Sequence, residues 1–167
     1  MVSQQAYFPE RDDLFQIESL SFKDSEVMLE KDGKRLCVPG PKVDLFRSTD
    51  IIDSHNNLLY ELDVIQIGLT YQTNHLLGYS IIRYIPQKAG FFLDDFVAVF
   101  PEDGETYYEN ERYIKVFSFG SLATLIQSPC HVIRRGNYYE VEKSTTADNM
   151  RAMYCINKLK KELTREG

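Results

Sequence analysis

The stretch Thr49-Asp-Ile-Ile-Asp-Ser-His-Asn-Asn-Leu-Leu-Tyr-Glu-Leu-Asp-Val-Ile65 packs a turn and two β segments into one short block. Ser54-His55-Asn56-Asn57 is a run of turn formers, and Asn56 tolerates positive φ better than most non-glycine residues, so a tight turn is predicted there. The flanks, Val43 to Asp53 and Leu58 to Thr70, are rich in β-branched and apolar residues and read as strands. Asp50, Asp53, Glu61 and Asp63 form the one concentration of carboxylates in this block. Paired acids can serve acid/base chemistry or hold a divalent ion. More often a short carboxylate shapes a turn by accepting backbone N–H groups, and that role is expected here.

Outward from the block the chain reads as β. Val27 to Glu30 and Arg35 to Val38 flank Lys31-Asp32-Gly33-Lys34, and Asp-Gly between apolar alternations is a strong hairpin signal. Pro39-Gly40-Pro41 then ends any ladder, because the prolines lack N–H groups. Gly78 to Ile85 and Phe91 to Phe100 flank another turn at Pro86 to Gly90, and closely spaced strands of this kind suggest a small barrel or a curled sheet. Pro101 to Tyr108 is an acidic, turn-rich loop. Ile114 to Ile126 mixes strand and short-helix character, and Val132 to Ile133 with Tyr138 to Val141 are expected to close the sheet.

From Ser144 the pattern turns helical. Thr145 with Asp148 three residues later offers a cap, and Ala152, Ile156, Leu159 and Leu163 recur on one face with Lys161 and Arg165 opposite. The expected organisation is a polar N-terminal arm over residues 1–13, a β-rich domain over 14–143 and an amphipathic helix over 144–167. The fold class is therefore mainly β with one C-terminal helix.

Thr49, Asp53, Tyr60, Glu61, Asp63 and Val64 stand at the spacing of a family signature that reads roughly Thr-Gly-Leu-x-Asp-x-Asn-Gly-x-x-Ile-Tyr-Glu-Gly-Asp-Ile-Val, with Asp50, Asn56 and Leu62 where that signature has glycine. The block resembles the YopX-like proteins of phages and prophages, a family with no established biochemical activity. Gly136-Asn137-Tyr138-Tyr139-Glu140 is similar to the family's Gly-Asn-Ile-Tyr-Glu ending. In this chain Arg134-Arg135 separates that glycine from the preceding Val132-Ile133. Gly90-Phe91-Phe92-Leu93 is similar to the family's Gly-Phe-x-Leu strand. The resemblance implies a small SH3-like or related barrel with peripheral hairpins, and a phage-encoded accessory protein in the cytoplasm of a bacterial host.

Composition bounds the function. The 167 residues, 43% apolar, suffice for one sizeable core, and 11 Tyr and 10 Phe without Trp favour strands. The net charge is −6, of which residues 144–167 contribute +2, leaving −8 elsewhere. An acidic body lacks the clustered cations that non-specific nucleic-acid binding requires. Arg134 and Arg135 beside Tyr138 and Tyr139 are the exception, since Arg pairs phosphates and rings stack bases. Arginines on a strand edge also serve to block aggregation, and that reading is preferred.

Cys37, Cys130 and Cys155 are too few and too scattered for a disulfide framework, which fits a reducing cytoplasm. Their spacing with His55, His75 and His131 forms no paired metal-ligand motif, and no cofactor is expected. Gly-x-Ser-x-Gly and phosphate-binding glycine loops are absent, and no apolar run is long enough to span a membrane. The expectation is a non-catalytic protein that binds another protein and self-associates. The alternatives are a nucleic-acid-associated module and an acid-dependent enzyme built on Asp53 and Asp63.

Overall fold

Asp32 and Gly33 adopt φ of +52° and +76°, the left-handed pair that a two-residue type I′ turn demands, and Lys31 pairs with Lys34 across them. The predicted hairpin is therefore present. The structure, a computed structural model, describes residues 4–71, 74–93, 96–100, 112–116, 121–127 and 129–166, with side chains described over 4–68, 77–93, 121–127 and 129–157. The predicted acidic loop at 101–108 lies outside the described residues. The chain divides into two compact units, Met1–Asp50 and Ile51–Gly167, where the sequence led us to expect one body from 14 to 143.

Unit 1 contains β1 (Gln5–Phe8), β2 (Asp13–Ser21), β3 (Glu26–Lys31), β4 (Lys34–Pro39) and β5 (Asp44–Phe46), in the antiparallel order β4-β3-β2-β1-β5. The stretch expected as an N-terminal arm thus supplies a strand between β2 and β5 of its own sheet. The cause is alternation. Ala6 and Phe8 point to one face and are buried with Phe15, Val27, Leu29, Val38 and Val43, and Phe8 meets Phe15 edge-on at 6.5 Å. Pro39-Gly40-Pro41 ends β4 in a 3₁₀ turn over Gly40–Lys42, as the prolines dictate.

In unit 2, β7 (Leu58–Tyr60) pairs with β6 (Ser48–Ile52), which carries the chain across the boundary. There follow β8 (Asp63–Tyr71), β9 (Asn74–Ile85), β10 (Gly90–Leu93), β11 (Phe96–Phe100), β12 (Arg112–Val116), α1 (Leu122–Gln127), β13 (His131–Asn137), α2 (Tyr138–Lys143) and α3 (Ala147–Glu166). The sheet order is β12-β11-β9-β8-β13, with β10 pairing on the far half of β9. Among the described residues these ladders run as open orders, antiparallel wherever their register is defined, so the fold is mainly β with helices at its C-terminal end.

Among the described residues, both faces of the β8 and β9 pair are covered. Val64, Tyr79 and Ile81 pack with Val141, Ala152, Met153, Cys155 and Ile156 from the helices. The neighbouring residues Ile65, Ile67 and Ile82 face the other way, onto Leu59, Leu93, Leu122, Leu125 and Val132. The apolar stripe of the C-terminal helix is covered within the unit at Ala152 and Ile156; Leu159 and Leu163 lie beyond the described side chains.

Two local expectations need correction. Tyr138 to Val141 is a helix, not a closing strand, because Asn137 caps it: its side chain accepts from Tyr139 N–H while Glu140 reaches back to Asn137 N–H, a capping box. The cap of α3 is Thr146 in place of Thr145, with its Oγ1 accepting from Asn149 N–H at 3.4 Å. A Cβ at Gly33 would meet nothing within 4 Å, so substitution there acts through backbone conformation alone. Gly33→Val is expected to lower stability by about 1 kcal/mol or more in urea unfolding, while Gly33→Asn costs distinctly less.

Candidate functional site at the acidic turn and strand β13

Asp53 organises the predicted turn. Its Oδ1 accepts from His55 N–H and Asn57 N–H, both at 2.8 Å, and Oδ2 accepts from the Asn57 amide at 3.1 Å. Asn56, at φ +64°, makes the left-handed step that its residue type allows. The same Oδ2 accepts from Arg134 N–H on β13 at 2.8 Å. One residue on, Ser54 N–H donates to Val132 C=O at 2.8 Å, and Val132 N–H donates to Ser54 Oγ at 3.0 Å. Strand β13 is the last of its sheet, and the turn thus satisfies the edge it would leave open.

Asp63 begins β8 with no exposed surface. Its Oδ2 accepts from Tyr60 N–H at 2.8 Å and from Arg134 Nε at 2.6 Å, and Oδ1 accepts from Arg134 Nη2 at 2.9 Å. This two-point pairing is the strong form of the carboxylate–guanidinium contact. The guanidinium also lies 5.8 Å from the Tyr60 ring centre. Between them Leu62 holds φ +64°, donates its N–H to Ile82 C=O and accepts from Tyr138 N–H, each at 2.8 Å, while its side chain packs on the helix-side core.

Electrostatics separates the two acids. Burial pushes the Asp63 carboxyl above its ordinary value, opposed by Arg134 and the Tyr60 N–H. At Asp53 burial acts in the same direction but is outweighed by the N–H groups of Arg134, Asn57 and His55 and by the Asn57 amide, so its pKa lies below the ordinary value. For Arg134, burial would lower the guanidinium, and Asp63 outweighs it.

The two arginines of the alternative aromatic and basic platform turn to different partners. The register of β13 slips between Arg134 and Gly136, a bulge that leaves Arg135 unpaired in the ladder. Arg134 turns inward to Asp63, whereas Arg135 reaches the first turn of α3, with Nε 3.1 Å from Asn149 Oδ1 and Nη2 3.4 Å from Asp148 Oδ2. Tyr138 and Tyr139 stand on α2, their rings edge-on at 5.9 Å, with Tyr138 against the helix-side core. Gly136 takes φ +134°, where a Cβ would lie 3.3 Å from Glu140 Oε2 and Val141 Cγ2. Asn137 is fully buried, Thr49 is buried in β6, and Glu61 lies half-buried in the turn before β8.

A feature without a sequence signal is the meeting of His55 and His131, ring centres 5.9 Å apart and nearly perpendicular. Beside the turn, Ile52, Asp53, Ser54, Ile126, Cys130 and Val132 line an open cleft of about 260 Å³. Among the described residues no group of three or more His, Cys, Asp or Glu is placed to hold a metal. Asp53 and Asp63, 4% and 0% exposed, spend both oxygens on the protein's own donors. Their arrangement joins segments and presents no free carboxylate to a substrate. No family model, curated protein or solved structure matches the chain.

Asp63→Ala leaves a mostly buried guanidinium uncompensated and is expected to cost about 3 to 5 kcal/mol in denaturant unfolding, with Arg134→Met in the same chain recovering much of that loss. Asp53 gives a pH signature. Its native pKa is depressed, so its contribution is present above the unfolded carboxylate range and is lost as pH falls through the native value. Thermal melts across the acid range should show a steeper loss in the native protein than in Asp53→Asn, which lacks that titration.

Proposed function

We propose that this chain is a YopX-like, phage- or prophage-encoded accessory protein of the bacterial cytoplasm that acts by binding another protein and catalyses no reaction. The support for the family is conformational. Asp50, Asn56 and Leu62, the three positions where the family signature carries glycine, all have positive φ, at +58°, +64° and +64°. A backbone that takes three L-residues into the left-handed region at those positions is the one that a glycine signature encodes. The strand order supports the SH3-like part of the reading, since β8, β9, β11 and β12 are successive neighbours and β13 returns beside β8.

The observation that carries the activity is the engagement of Asp53 and Asp63 in the chain's own hydrogen bonds, which withdraws the acids that an enzyme reading needs. Arg134 and Arg135 are likewise drawn onto Asp63, Asn149 and Asp148, which weakens the nucleic-acid reading. Self-association belongs to the same proposal, through sheet edges such as β4 and β5.

Crosslinking in a lysogen that expresses the tagged chain, followed by mass spectrometry, is expected to recover a protein partner in near-stoichiometric amount, and light scattering a dimer or larger species. Single-stranded oligonucleotides at about 50 mM salt should show no micromolar binding. Tight, steeply salt-dependent binding to such an oligonucleotide, with no protein recovered, would overturn the reading.

A further inference from the structure

We propose that His55 and His131 together form a binding site for a divalent transition-metal ion of the copper, nickel or zinc class, which staples the acidic turn to strand β13. The two rings come from segments far apart in sequence, both side chains are exposed, and their centres lie 5.9 Å apart at an interplanar angle of 77°. Neutral imidazole is a preferred ligand for these ions, at metal–nitrogen distances of about 2.0 to 2.1 Å. Two imidazoles on one tetrahedral ion have ring centres roughly 5 Å apart by that geometry. Rotation of two exposed side chains covers the remaining gap of about 1 Å without moving the backbone.

The backbone is already fixed for the purpose. His55 N–H is held by Asp53 Oδ1 at 2.8 Å, and the next residues on each side, Ser54 and Val132, exchange hydrogen bonds at 2.8 and 3.0 Å. Opposite His131 the ladder places Gly68, so no side chain of β8 crowds the ring from that pair position. The fold has therefore met the entropic cost of bringing two distant ligands together, which is what gives a two-histidine site affinity in water. Asp53 is saturated by other donors and adds no third ligand, so water or a group from a bound molecule completes the coordination. An ion held this way binds the native chain in preference to the unfolded one and stabilises it.

Calorimetric titration of the full chain with Cu²⁺ alone and with Zn²⁺ alone, in a buffer that does not chelate, tests this. One equivalent is expected to bind, Cu²⁺ more tightly than Zn²⁺. His55→Ala and His131→Ala should each weaken binding roughly tenfold or more, and His75→Ala, on β9, should leave it unchanged. On the unaltered protein, substoichiometric Cu²⁺ should broaden the imidazole NMR signals of His55 and His131 before those of His75. Absence of binding, unchanged affinity in either single variant, or broadening that begins at His75 overturns the proposal.

Discussion

A carboxylate with no exposed surface has to be compensated, and the placement of Arg134 against Asp63 is the constraint from which the rest of unit 2 follows. Asp63 starts β8 and Arg134 lies on β13, so the pair fixes how far the last strand slides along the first. A slip of one residue would turn Arg134 to the opposite face and strand the acid. The bulge after Arg134 lets the chain keep that registration and still end in Gly136 and Asn137, where α2 has to begin.

The acidic turn acts on the other edge of the same strand. It contributes hydrogen bonds to the outward side of β13, at Val132 and Arg134, while the inward side is paired to β8. A strand held from both sides no longer offers a template for further pairing. Strand β8 faces two cores, with Val64 on the helix side and Ile65 and Ile67 on the other, and this explains why Val64 and Ile65 stand side by side at its start.

The parts of this structure legible in the sequence were those with a local cause. Asp32-Gly33 forces its hairpin, Pro39-Gly40-Pro41 ends its strand, and Asp53 and Asn56 shape the turn their types suggest. The capping box at Asn137 and Glu140 was also there to read, but Tyr138-Tyr139 and the valine after them favour strands, and propensity obscured it. Arg134 and Arg135 could not be told apart. Nothing in two adjacent arginines says that a bulge will send one inward and the other to α3, and nothing in two isolated histidines says that the fold will bring their rings together. These are consequences of long-range pairing, which no local pattern encodes.

The three left-handed residues Asp50, Asn56 and Leu62 bear on how this sequence can drift. Asp50 is exposed and makes its side-chain contact with neighbouring Ser48, so a glycine there relaxes the backbone at the loss of one exposed contact. Leu62 is different. Its backbone resists the conformation it holds, yet its side chain has become part of the packing under the helices, and removal of the side chain would exchange strain for a void. Substitution at Leu62 therefore has two opposed effects: a glycine relaxes the backbone and at the same time empties the space that the leucine fills among its neighbours.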